Sequence, residues 1–183
     1  MALSKIINGG VAASALPSGS IIQVKHTQLT VTGSQAISSA NTDTLVSGFT
    51  VNITPTSTSS IIQLTAQIFG EFDNTSSPHN TIFYFMRDST KLAHTGTIQS
   101  NQQAGVSMLA QAQDSSSVNV ATTPEVGFIS FFDTPSTTSQ ITYKLGFRSK
   151  QTATFHINRT VNDANATSEE RGTSFISATE IAG

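Results

Sequence analysis

The segment IIQLTAQIFGEF (61–72) alternates apolar and polar residues almost without a break. Ile62, Leu64, Ala66, Ile68, Gly70 and Phe72 form one set; Gln63, Thr65 and Gln67 form the other. A period of two puts one set on a buried face and the other toward solvent, the signature of a half-buried β-strand. The pattern recurs along the chain. IIQVKHTQLTV (21–31) places Ile22, Val24 and His26 on one face, with Gln23 and Lys25 opposite. FTVNI (49–53) sets Phe49, Val51 and Ile53 against Thr50 and Asn52. TIFYFMR (81–87) and KLAHTG (91–96) flank a polar turn at Asp88 and Ser89, which predicts a hairpin. VSMLAQA, VGFISFF, ITYKLGF, TATFHI and TSFISATEI complete a series of short strands. The only helical candidate is QQAGVSMLAQAQ (102–113), and GSQAISSANTDT (33–44) reads as a polar loop. The expected fold is all-β: an antiparallel β-sandwich or jelly roll (21–183) behind a short extended N-terminal arm (1–20).

TPTSTSS (54–60) looks at first like a linker between domains. It lies between two strand patterns, however, and the even spread of strands leaves no room for a second domain. TPSTTSQITYKLGF (134–147) repeats the device, with Thr-Pro, a hydroxyl run, and an Ile six residues past the Pro. Pro fixes φ for a turn, and Ser and Thr bond their own backbone in tight turns. The apolar phase differs between the copies (62, 64, 66, 68 against 141, 143, 145, 147), so a shared turn solution is the expectation rather than a duplication.

Charged residues are only 11% of the chain, against about 25% in ordinary soluble domains. Ser and Thr fill the gap, at nearly three residues in ten. A formal net charge of −2 supplies no electrostatic pull toward nucleic acid or an anionic membrane. With no Cys, disulfides, zinc-thiolate sites and thiol nucleophiles are excluded. No apolar run approaches the ~20 residues of a membrane span. MALSKIINGGVAASA lacks the continuous apolar centre of a secretion signal.

Little in the chain points to catalysis. His26, His79, His94 and His156 are scattered, without metal-ligand spacing on one element. Glu71 and Asp73 share one strand face and could act as acid and base, but solvated strand-end carboxylates are the simpler reading. Asp133, before Thr134-Pro135, reads as a turn residue. Arg159 and Arg171 can pair with Asp163, Glu169 or Glu170 in the late loop, where exposed pairs contribute little. Sequons at Asn52, Asn74, Asn158 and Asn165 are no more than this hydroxyl content produces by chance. No phosphate loop, nucleophile elbow or dinucleotide fingerprint occurs. The expectation is no enzyme, no cofactor and no metal.

Aromatic usage says more. The chain has eleven Phe, two Tyr and no Trp. Such a set suits a sandwich core rather than a sugar-stacking platform. FYF (83–85) and SFF (130–132) put an aromatic on both faces of a strand, which predicts an outer face covered by another subunit. Candidate contact residues are Ile6, Ile7 and Leu16 in the arm, Ile61 at a strand start, and Phe83, Phe85 and Phe131.

The blocks GSIIQV (19–24), FTVNITPTSTSSIIQLTAQI (49–68), FMRDSTKL (85–92), FFDTPSTTSQITYKLGFRS (131–149) and RGTSFISATEI (171–181) resemble virion structural proteins of tailed bacteriophages, particularly marine and cyanobacterial ones. The resemblance implies a jelly roll of the tumour-necrosis-factor and complement-globular-head type, associating as a homotrimer. It also implies a place on the virion: a capsid decoration or cement protein held to the major capsid protein or another virion protein by its arm. The alternative is the receptor-binding tip of a tail or head fibre, whose loops at 73–80, 98–105 and 160–170 would meet a host surface receptor. The short arm favours decoration. A carbohydrate-active sandwich enzyme is the remote third possibility. Where the family pattern has Lys after the Ser/Thr run, this chain has Ile61, which marks that edge as a contact candidate.

Overall fold

The computed structural model describes residues 16–73, 80–100, 102–107, 122 and 124–183. Ten strands follow in order: β1 (Ile21–Leu29), β2 (Gly33–Ile37), β3 (Asp43–Ile53), β4 (Ile61–Phe72), β5 (Thr81–Arg87), β6 (Thr90–Leu92), β7 (Glu125–Asp133), β8 (Ile141–Ser149), β9 (Ala153–Ile157) and β10 (Ser174–Ile181). One sheet runs β1-β10-β4, with β7 on the far side of β4; the other runs β3-β8-β5-β6. All named pairings are antiparallel. The chain switches sheet at most connections, giving a sandwich with jelly-roll strand order. The short pair β2–β9 extends the first sheet, with β9 following β10 along one side of β4.

The alternation read from the sequence builds the core. Phe49, Val51 and Ile53 from β3, Ile62, Leu64, Ala66 and Ile68 from β4, and Ile141, Tyr143, Leu145 and Phe147 from β8 all face inward and are buried. Phe72, Phe83, Phe147 and Phe155 close one end as an aromatic cluster, with Phe83 and Phe147 edge-to-face at 5.8 Å and Phe72 and Phe155 at 4.7 Å. Such pairs add about 0.5–1.5 kcal/mol each beyond burial. Gly70 is required where β9 crosses close to β4, since a Cβ there would stand 2.3 Å from the His156 carbonyl.

TPTSTSS connects β3 to β4 as a hydroxyl-bonded turn. Ser57 Oγ accepts from Ser59 N–H at 3.2 Å, and Thr137 Oγ1 does the same for Ser139 N–H in the second copy. The Asp88–Ser89 hairpin also forms, with Asp88 in the left-handed region at φ 51.

Several expectations are corrected. GSQAI, read as loop, is β2, paired along its length with β9. KLAHTG contributes only the end of a three-residue strand. Most of VSMLAQA and half of the helical candidate lie outside the described residues; the described half, 102–107, is not helical, and Ser107 bridges to Phe83. In β1 a bulge between Ile21 and Gln23 breaks the expected phase: Val24 and His26 face outward and Ile22 does not share their row. Phe83 and Phe85 were contact candidates but point into the core and are fully buried. Phe131 also packs inward, so its neighbour Phe132 is the exposed residue.

Candidate functional site

Register defines the outer face of the β1-β10-β4-β7 sheet row by row. One row is Val24–Thr179–Gln63–Phe132, the next His26–Ser177–Thr65–Ser130, and the third Gln28–Phe175–Gln67–Phe128. Among these residues there is no Asp, Glu, Lys or Arg. At one end stands Ile21–Ile181–Ile61, so Ile61 joins a cross-strand apolar row instead of an isolated edge. Ile21, Val24, Val126, Phe128 and Phe132 are 65%, 53%, 57%, 63% and 59% exposed. Phe128 leans across the sheet to meet Phe175 edge-on at 6.5 Å. The exposed apolar side chains are interspersed with Thr, Ser, Gln and His across an otherwise uncharged face.

The opposite outer face, on β3-β8-β5-β6, is built differently. Tyr84 points outward but lies over Gly146, where a Cβ would come within 2.6 Å of the ring. Lys91 Nζ sits 4.0 Å from the ring centroid, completing a cation–π cover. Asp43 accepts from Lys91 at 2.8 Å and lies 3.6 Å from Arg148. FYF therefore leaves no exposed aromatic: two of its rings are core and the third is roofed. Burial raises the Tyr84 hydroxyl pKa far above the ordinary phenol, with Asp43 adding to the shift and Arg148 opposing it.

Beneath the uncharged face lies a hydrogen-bonded carboxylate. Glu180 on β10 is inaccessible to solvent. Its Oε1 accepts from Thr56 N–H (2.6 Å), Thr56 Oγ1 (2.7 Å) and Ser60 Oγ (2.6 Å), and its Oε2 from Gln23 Nε2 (2.6 Å). Burial alone would raise its pKa, but the bonds from Ser60, Gln23 and Thr56 outweigh it and hold the carboxyl below its usual range. TPTSTSS is thus the hydroxyl shell of a buried carboxylate.

Asp133 is not a solvated turn residue. It is buried, accepts from Arg87 Nη1 at 2.9 and 3.2 Å, and accepts from the Tyr143 hydroxyl at 2.7 Å. Asn158, in the left-handed region at φ 60, fills the gap between β9 and β10. Its amide donates to the carbonyls of Leu29 and Val31 and accepts from Ser174 Oγ. With no accessible surface, that sequon offers no acceptor for a glycan.

Glu71 and Asp73 differ: Asp73 is an exposed strand-end carboxylate, as expected, and Glu71 is not. Glu71 is buried and accepts from Val161 N–H at 2.7 Å, while Asp73 caps Thr154 N–H at 2.6 Å. His156 contacts Ser34 Oγ at 3.3 Å; burial and then the nearby Arg159 lower its pKa, against Asp73 and Glu71. Arg159 and Arg171 both meet Asp163, as the sequence suggested. Among the described residues no group of His, Asp or Glu is arranged to hold a metal ion.

The contact candidates therefore separate. Ile6 and Ile7 lie outside the described residues. Leu16 lines a cavity of about 360 Å³ with Ile22, Ser57, Ser60 and Ala182, beside the Glu180 turn. Ile61 belongs to the outer face, Phe83, Phe85 and Phe131 to the interior. Sequence reasoning missed Val126, Phe128 and Phe132 because both rows of VGFISFF carry apolar residues. Only the inward placement of Gly127 and Asp133 reveals the phase. In comparisons with known proteins the chain matches no family model and no curated sequence.

Proposed function

We propose that this chain is a non-enzymatic structural protein of a tailed-bacteriophage particle, a homotrimer that decorates the capsid surface and is anchored by its N-terminal arm. The observation that carries the reading is the uncharged outer face with Phe128, Phe132, Val126 and Val24 exposed upon it. Covering a side chain of this size contributes roughly 1.5–3 kcal/mol when burial is complete. A surface of Phe, Val, Gln, Thr, Ser and His brings no carboxylate, ammonium or guanidinium of its own into a contact with a second copy of the chain. In a three-fold ring each contact is heterologous, so this face of one protomer meets a different surface of the next. The ordered blocks that resemble phage virion proteins supply the particle setting, and a surface low in charge and free of thiols suits it. The role would be mechanical: buried area added across a shell under internal pressure.

The deciding experiment is the solution mass at micromolar concentration, for the native chain and for the double variant Phe128→Ser/Phe132→Ser. A native trimer and a variant monomer with unchanged far-ultraviolet β signal are expected. A native monomer with intact β signal overturns the assembly. Copy number on a purified particle then separates decoration, at hundreds of copies, from a fibre tip, at a few trimers.

A further inference from the structure

We infer that the cleft at the end of β8 binds an anionic saccharide unit, one carrying a sulfate ester or a carboxylate. The cleft holds about 430 Å³ and is lined by Asn41, Ser100, Gln102, Gln103, Arg148 and Lys150. That volume falls in the lower part of the ~300–1,000 Å³ range of small-molecule sites. Two of the six lining residues are cations and none is a carboxylate, on a chain whose net charge is −2.

The walls are held in place. Asn41 N–H donates to the Ser149 carbonyl at 2.7 Å. The Gln103 amide bridges the end of β8, its nitrogen donating to the Arg148 carbonyl at 2.8 Å and its oxygen accepting from Lys150 N–H at 3.3 Å. Gln102 Oε1 accepts from Gln99 N–H at 2.8 Å, and among the described residues its Nε2 has no hydrogen-bond partner.

The charges are under-compensated. Asp43, the acid nearest Arg148, is 3.6 Å from it and lies closer to Lys91. Lys150 makes no ion pair among the described residues. Guanidinium, ammonium, amide and hydroxyl groups therefore line one concave space, a donor set that suits a negatively charged, many-acceptor ligand. Among the described residues the lining offers no aromatic or aliphatic side chain to take a nucleobase or an acyl chain, whereas Asn, Gln and Ser match ring hydroxyls. Arg148 belongs to the charged outer face, on the opposite side of the sandwich from the uncharged one. The inference does not depend on the assembly reading: a monomer would carry the same cleft.

The test is calorimetric titration of the full chain, at physiological ionic strength, with four probes. These are a sulfated oligosaccharide, a uronate oligosaccharide, a neutral oligosaccharide of equal length, and inorganic sulfate. Binding of both acidic sugars, and of neither other probe at the same concentration, is expected. Lys150→Gln, at an exposed side chain with no ion pair among the described residues, should weaken it about tenfold, as for loss of one charged hydrogen bond. Arg148→Gln/Lys150→Gln should abolish it, and Lys25→Gln on β1 should leave it unchanged. The inference is overturned if no acidic sugar binds, if the neutral sugar binds as well, if inorganic sulfate binds as tightly, or if Lys25→Gln weakens binding as much as Lys150→Gln. Solution mass reports separately on the assembly.

Discussion

The two outer faces of this sandwich start from similar material and end as opposites. Each includes aromatic residues on an outward row. On β3-β8-β5-β6, Tyr84 is closed over Gly146 and capped by Lys91, and the positions around it carry Asp43, Lys144 and Arg148. On β1-β10-β4-β7, Phe128 and Phe132 stand open among Gln, Thr and Ser. One face completes itself within a single chain. The other leaves its aromatic rings open to solvent. Aromatic content alone does not locate an interface; what decides is whether the same chain provides a glycine to receive the ring and a charge to roof it.

Substitutions on each face test that contrast. The largest effect is expected from Tyr84→Ala, which uncovers Gly146 and removes a buried ring at a cost of roughly 3–5 kcal/mol. Denaturant unfolding would show it, while oligomer mass stays unchanged unless the fold is lost. The matching change, Phe132→Ala, should alter monomer stability by no more than about 0.5 kcal/mol, its effect appearing in assembly instead. Equal losses of monomer stability from both would break the distinction.

A smaller effect sharpens the uncharged face from below. β10 does contain an acid, Glu180, but turns it inward to four donor contacts. Glu180→Gln should cost about 1–3 kcal/mol, because an amide nitrogen replaces one acceptor oxygen. The folded pKa is depressed, so the carboxylate's contribution is complete above the unfolded value near 4.5 and fades as pH falls through the lower folded value. Unfolding free energy measured between pH 6 and pH 3 should therefore fall less steeply in Glu180→Gln than in the native chain. The smallest change is Asp43→Asn on the charged face. Its pairs with Lys91 and Arg148 are partly exposed, so a loss under about 1 kcal/mol, shrinking further in high salt, is expected.

Much of the interior was legible in the sequence. Ile62 through Ile68 and Ile141 through Phe147 alternate cleanly, and a one-residue slip in either would expose a whole row. The outer surface was harder. GSQAI holds a single large apolar residue, Ile37, and becomes a strand because β9 supplies partners. Ile22 misled because a bulge costs one residue of phase and leaves no compositional mark. Glu180 was silent: its donors lie 120 to 157 residues earlier, and only the fold makes a shell of a Ser/Thr turn. In the same way Asp133 looks like a turn acid until Arg87 and Tyr143 arrive from other strands.

β10 lies between β1 and β4 in the sheet yet comes last of the strands in sequence. A nascent chain must therefore wait with a vacancy in the middle of its first sheet, two bare strand edges facing one another across it. Pairings this distant in sequence are slow to form and exposed to aggregation meanwhile. Interruption before residue 174 would not trim the protein; it would leave Gln23, Thr56 and Ser60 gathered around a missing acceptor and the sandwich unclosed. Closure of the sandwich thus waits on β10, the last of its ten strands in sequence.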